Sequence, residues 1–142
     1  IKTNDEKIIK KIENSPEIIG GMIYEFKFRE AINELISLAR LGNKYLAEQE
    51  PWKLIKSDEK RVQTIMNISI QISSALAIMC EPFMPFTAKK LRAMLNLEKL
   101  EWGFAGKMMI NKGHRINKPI HLFAKIEDEK INEQIDKLNQ RL

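Results

Sequence analysis

The longest run without a charge, Val62 to Cys80 (VQTIMNISIQISSALAIMC), decides what can sit at the centre of this chain. Its 19 residues approach the length of a membrane span. Seven of them are Gln, Thr, Asn or Ser, which are expensive in lipid and cheap in a helix packed inside a bundle. The run therefore reads as a buried central helix, and no membrane partner is expected.

Amphipathic segments flank that helix. In TNDEKIIKKIENSPEIIGGMIYEFKF, Thr3 or Asn4 is expected as N-cap, with Asp5 and Glu6 complementing the helix dipole in the first turn. Ile8, Ile9, Ile12, Ile19, Ile23 and Phe26 continue an apolar stripe past Pro16, where Ser15 is expected to cap a restart, giving one kinked helix or two shorter ones. The next segment, Lys27 to Glu50, is the clearest helix, with Phe28, Ala31, Ile32, Leu35, Leu38, Ala39, Gly42 and Leu46 on one face. Gly42 in that seam would let another helix approach closely. Ser57 is expected to cap the central helix. Pro82 and Pro85 end it, and Thr87 is expected to cap a short helix with Leu91, Met94 and Leu95 inward and Lys89, Lys90 and Arg92 outward.

Beyond Leu97 the period is lost. Three glycines and a proline in EKLEWGFAGKMMINKGHRINKPIHLF suggest an irregular or short hairpin-like tail, and IEDEKINEQIDKLNQRL returns to a helix carrying Ile131, Ile135 and Leu138 on one side. The expected fold is all-α: a bundle of four to five helices over residues 1–97, then an extension over residues 98–142 made of an extended segment and a terminal helix. At 142 residues one core can bury roughly 68% of the unfolded chain's surface. The chain opens on IKTNDEK without an initiator Met or a signal segment, and reads as part of something longer.

Catalytic chemistry finds few candidates. Cys80 is the single cysteine, set in apolar sequence without a basic neighbour, so an inert core thiol in a reducing, cytoplasmic setting is expected. His114 and His121 have no metal-ligand spacing, GFAG and NKG lack the strand-to-helix setting of a phosphate loop, and the acidic clusters sit at helix starts. No catalytic residue, metal or cofactor is expected in this stretch.

Charge is uneven. Residues 1–50 hold 8 Lys/Arg against 9 Asp/Glu, a net of −1, and residues 51–125 hold 13 against 5, a net of +8. Such a surplus suits either a polyanion partner or a merely soluble basic face. In NKYLAEQEPWKLIK a helix stops at Pro51 and Trp52 follows, with Lys53, Lys56, Lys60 and Arg61 close behind. Two readings stand: Trp52 caps the core, or it offers a platform on which an unpaired base stacks while the basic residues hold flanking phosphates. Asn43, next to Gly42 on the expected seam, either makes a buried interhelical hydrogen bond or points its amide at a base edge.

Three segments in order, EFKFREAINELISLARLGNKYLAEQEPWKL, EPFMPFTAKKLRAML and GHRINKPIHLFAKIEDEKI, make the chain similar over nearly its whole length to the C-terminal region of methionyl-tRNA synthetases. The resemblance implies a helical anticodon-binding domain of a class I synthetase, with the anticodon stem-loop of methionine tRNA and the parent's catalytic domain as partners. It gives Trp52 the family's stacking contact with an anticodon base and Asn43 a supporting role. ATP with magnesium, and zinc where it is bound, belong to the catalytic part, whose HIGH and KMSKS signatures are not in this sequence. The family's anticodon site also draws polar residues from a helix preceding Ile1. The alternatives are the related domain of an isoleucyl, valyl, leucyl or cysteinyl synthetase, or a helical docking module without RNA contact.

Overall fold

The structure, a computed structural model, describes residues 1–140; the last two residues of the expected 98–142 extension lie outside the described residues. It is all-α: α1 (Thr3–Tyr24), α2 (Phe28–Gln49), a single turn α3 (Pro51–Leu54), α4 (Glu59–Met79), α5 (Pro85–Leu95), a short 3-10 turn at Trp102–Phe104, and α6 (Asp128–Asn139). No strand occurs among the described residues, so the tail takes the irregular form and not the hairpin.

Helix α4 is the hub, packing against α1, α2, α3 and α5. Ile65, Ile68, Ile72, Ala75, Ile78 and Met79 meet Ile8, Ile12 and Ile19 of α1 and Ala31, Leu35, Leu38 and Tyr45 of α2. Its buried serines are satisfied locally, Ser69 and Ser74 donating to the carbonyls of Ile65 and Ile70 at 2.8 Å each. That is why an uncharged polar run works as a core helix. Gly42 has the expected purpose: a Cβ there would lie 3.2 Å from Cγ2 of Ile72, so its absence sets the α2–α4 approach.

Several local expectations are corrected. Helix α1 is continuous through Pro16, and Ser15 is buried, donating to the Lys11 carbonyl at 2.6 Å instead of capping a restart. Its N-cap is Lys2, one residue before the expected pair, because Asp5 accepts from the Lys2 N–H at 2.8 Å. Asp58 takes the cap expected of Ser57, accepting from the Arg61 N–H at 3.0 Å. Helix α5 starts at Pro85 after Met84, which puts Thr87 inside the first turn, and Arg92 turns inward to Glu81 at 2.8 Å. Phe26 leaves the stripe in a left-handed turn (φ 60°) and is exposed.

The tail is fastened by side chains. Gln71 on α4 mimics a strand edge: its Oε1 accepts from the N–H groups of Met109 and Ile110, and its Nε2 donates to the Ile110 carbonyl at 2.7 Å. Trp102 donates to the Pro16 carbonyl at 3.1 Å, and Gly106 sits so near α1 that a Cβ would fall 2.8 Å from the Glu13 carbonyl oxygen. Further on, the GHRINKP segment closes the end of α5. His114 bonds the Leu95 carbonyl, and Asn117 reaches those of Met94 and of Ala93, the last of which also takes the Asn96 N–H.

Candidate nucleic-acid interface

The α2–α4 connection is built by three successive backbone choices. Helix α2 stops where Glu50 takes a left-handed conformation (φ 43°), a costly state for a residue with a Cβ. Pro51 then starts α3, its fixed φ suited to a first helical position. In that turn Pro51 is buried and Leu54, three residues on, packs against the core. Trp52 and Ile55, also three apart, are left on the outer face at 60% and 53% exposure. Tryptophan is ordinarily well buried, so a mostly exposed indole beside an exposed isoleucine forms an apolar step at a charged surface.

The expected phosphate contacts separate on inspection. Lys53 and Lys56 lie on the same turn as Trp52; Lys53 pairs with Glu50 at 2.7 Å, and Lys56 is exposed. Lys60, in the first turn of α4, is exposed and borders a groove shared with Met66, Met108 and His114. Arg61 departs from the expectation: it is 8% exposed and faces inward. Its Nη1 and Nη2 donate to Oδ2 and Oδ1 of Asp5, Nη2 also donates to Oε1 of Gln49, and Nε is buried without a partner. A guanidinium so engaged is not available to a phosphate.

Asp5 is the acceptor at the centre of this cluster, taking the Tyr45 hydroxyl at 2.7 Å as well. The Arg61 hydrogen bonds hold its carboxyl well below the usual carboxylate range against the opposing effect of burial, with the Lys2 N–H and Tyr45 adding to them. Burial first, and then Asp5, pushes the Tyr45 phenol upward, so it stays a donor.

Asn43 is also relocated. The buried stripe of α2 runs Ala31, Leu35, Leu38, Gly42, Tyr45, and Asn43, a residue past Gly42, is rotated about 100° outward at 3.6 residues per turn. It is exposed, not in the seam. The amide is thus open to solvent, on a different helix from Trp52.

The basic surplus is not concentrated around Trp52 either. Residues 85–125 hold nine Lys/Arg against two Asp/Glu, whereas Glu48, Glu50, Asp58 and Glu59 accompany the lysines near α3. Cys80 is buried and its thiol is pushed up by desolvation, an inert position. No cluster of three or more His, Cys, Asp or Glu able to hold a metal occurs among the described residues.

Sequence reasoning missed Ile55, Tyr45 and Gln49. The available signal was spacing: Ile55 repeats Trp52 at three residues, and Tyr45 follows Gly42 at three.

An all-α bundle of this shape is shared with solved proteins. The apo, free-state crystal structure of methionyl-tRNA synthetase from Mycobacterium tuberculosis superposes with a TM-score of 0.80 at 20% identity, over 89% of this chain and 27% of that one. The likeness defines the fold class. The chain belongs to the family described as the anticodon binding domain of methionyl tRNA ligase, whose model matches residues 1–141. Among curated relatives, the methionine–tRNA ligase of Christiangramia forsetii is 50% identical and that of Flavobacterium psychrophilum 48% identical, each over 94% of this chain. The chain spans about a fifth (20%) of the length of these relatives.

Proposed function

We propose that this domain reads the anticodon stem-loop of methionine tRNA on behalf of a ligase that attaches methionine to that tRNA in the cytoplasm, and that Trp52 is the surface on which an anticodon base stacks. The observation that carries the reading is the exposed indole on α3, turned out by the buried Pro51 and Leu54 beneath it. Residues 1–97 form the anticodon-binding bundle and residues 98–142 its extension.

Recognition proceeds by stacking and makes or breaks no bond. An unpaired base laid on an indole contributes about 1–3 kcal/mol, more than an exposed, screened lysine supplies. Lys53 and Lys56 flank the platform and accompany the backbone, and Lys60 meets it further along, from the first turn of α4; Asn43 presents a donor and an acceptor to a base edge from α2. Arg61 acts from inside the fold. ATP, magnesium and any zinc serve the catalytic domain of the parent chain, which is the domain's second partner.

Binding of fluorescent anticodon stem-loops to the chain tests this, with the ligase that contains it measured in parallel. Trp52→Ala is expected to weaken the methionine stem-loop by about 1–3 kcal/mol and to narrow its advantage over loops altered at one anticodon base. Equal loss for every loop, or no loss, sinks the stacking role. Two or three phosphate contacts predict a shallow salt dependence, a logarithmic slope of about −1.4 to −2. Binding indifferent to salt and to Trp52 would instead mark a protein-docking surface.

A further inference from the structure

Trp52 sits at the tip of a connection whose base is closed from within the core. Gln49 is the last residue of α2 and Arg61 lies in the first turn of α4; their side chains meet through Arg61 Nη2 and Gln49 Oε1, 12 residues apart in sequence. The stretch between them, including the left-handed Glu50, α3 and Trp52, is a loop seated on the core through Pro51 and Leu54 and closed at its base by that bond.

The guanidinium that closes the loop is not free to wander. Asp5, from the start of α1, holds both of its terminal nitrogens, and Tyr45, one turn before Gln49 on α2, donates to the same carboxylate at 2.7 Å. Asp5 is fully buried and lies 56 residues from Arg61. Three helices are therefore referenced to one carboxylate, and a single further hydrogen bond carries that reference to the residue three before Trp52.

We infer that Gln49 is a positioning residue for anticodon recognition: the Asp5–Arg61 pair, through Gln49, fixes the orientation of the Trp52 turn before RNA arrives. The inference rests on Trp52 being the stacking residue. Its physical content is preorganisation. A loop held in its binding geometry loses less freedom on association than one that must be ordered by the ligand. Lys53, bonded to Glu50 at 2.7 Å, adds an outer tie that solvent and salt weaken, whereas the part-buried Gln49 tie, made to a guanidinium that is itself buried, is less exposed to both.

Gln49→Ala removes this tie alone and leaves the Asp5–Arg61–Tyr45 cluster in place, so the chain remains folded. Two measurements decide the matter. The first is a double-mutant cycle for methionine stem-loop binding with Gln49→Ala and Trp52→Ala. We expect Gln49→Ala to weaken binding by about three- to tenfold in the parent sequence and to have no further effect once Trp52 is gone. The second is fluorine NMR of the chain labelled with 5-fluorotryptophan, which has two resonances, assigned through Trp52→Phe and Trp102→Phe. Gln49→Ala should broaden or shift the Trp52 signal and leave that of Trp102 unchanged.

If Trp52→Ala weakens binding and Gln49→Ala does not, the positioning role is overturned and the stacking role stands. Equal losses from Gln49→Ala with and without Trp52 also overturn it. If Trp52→Ala has no effect on binding, the stacking reading falls and positioning for recognition falls with it. The fluorine signal then still shows whether Gln49 orders the turn, which separates that failure from an error in the geometry.

Discussion

Trp102 and Trp52 are the chain's two tryptophans, and the fold treats them oppositely. Trp102 lies against α1 with its indole N–H given to the Pro16 carbonyl and Gly20 beneath it, where a Cβ would come within 3.2 Å of the indole nitrogen. Trp52 has its face to solvent, and what the core holds is its surroundings: the buried Pro51 before it, the partly buried Leu54 after it, and the Arg61 cluster at the base of the loop. In the first case the side chain is the contact. In the second the core's contacts stop short of the side chain and hold only the backbone that carries it. A residue kept rigid yet uncovered is suited to meet something outside the chain.

The largest expected effect comes from cutting the frame behind Trp52. Asp5→Ala leaves the Arg61 guanidinium buried without its counter-charge, a loss of about 3–5 kcal/mol. Urea unfolding should show the midpoint falling steeply, with RNA binding lost alongside. A loss below about 1 kcal/mol would mean that the cluster is solvated and that the frame is not rigid.

Next come the tryptophans themselves, which should separate stability from binding. Trp102→Ala removes a half-buried ring and its hydrogen bond and should cost about 3 kcal/mol of stability, while stem-loop affinity of the folded fraction stays as it was. Trp52→Ala should do the reverse: stability within about 0.5 kcal/mol, affinity reduced as stated above. If both variants lose stability alike, the indole of Trp52 is packing, and the core-capping reading of the Pro-Trp segment returns.

Smaller again is Gly106→Ala. The new methyl would face the Glu13 carbonyl oxygen at 2.8 Å, backbone that cannot swing aside, so the tail must lift from α1 at a cost of about 1–3 kcal/mol. Hydrogen exchange at Met109 and Ile110, whose N–H groups Gln71 accepts, should report the loosening. Exchange near Trp52 should not change.

How far the sequence disclosed these differences depends on the range of the forces involved. The helices were legible because period, proline and an uncharged run act over a few residues, and Gly42 was legible because a small residue in an apolar stripe has one common use. The Asp5–Arg61 pair was not. A carboxylate in a first helical turn already has a sufficient local account in the dipole, and a basic residue after Trp52 already suits a phosphate. Both nonetheless occupy stripe positions, Asp5 in line with Ile8 and Ile12 and Arg61 in line with Ile65 and Ile68, and Arg92 does the same with Ala88 and Leu95. A charge on the apolar face is the trace a buried pair leaves. Asn43 fails in the other direction: it stands next to a seam residue, and one step along a helix is enough to leave the seam.

The smallest effect near neutrality is that of pH, and its sign follows from the same cluster. Asp5 has its pKa lowered by the Arg61 hydrogen bonds, so its contribution to stability is complete above the unfolded-state value of about 3.9 and is lost as pH falls through the lower native value. Tyr45 has its pKa raised, chiefly by burial, so the unfolded chain releases that proton first; stability is unaffected below about pH 10 and declines as pH rises beyond it. Between those limits the frame should be insensitive to pH. Urea midpoints collected from pH 3 to 11 should therefore show a plateau from this cluster with losses at both ends, and Tyr45→Phe should abolish this cluster's part of the alkaline loss while keeping the acid one. Native Asp5 stays ionised across this range, so the Trp52 resonance should stay sharp to its acid end; broadening of that resonance in Asp5→Asn would tie the order of the exposed tryptophan to the charge on Asp5, a dependence that the directly bonded Trp102 should not share.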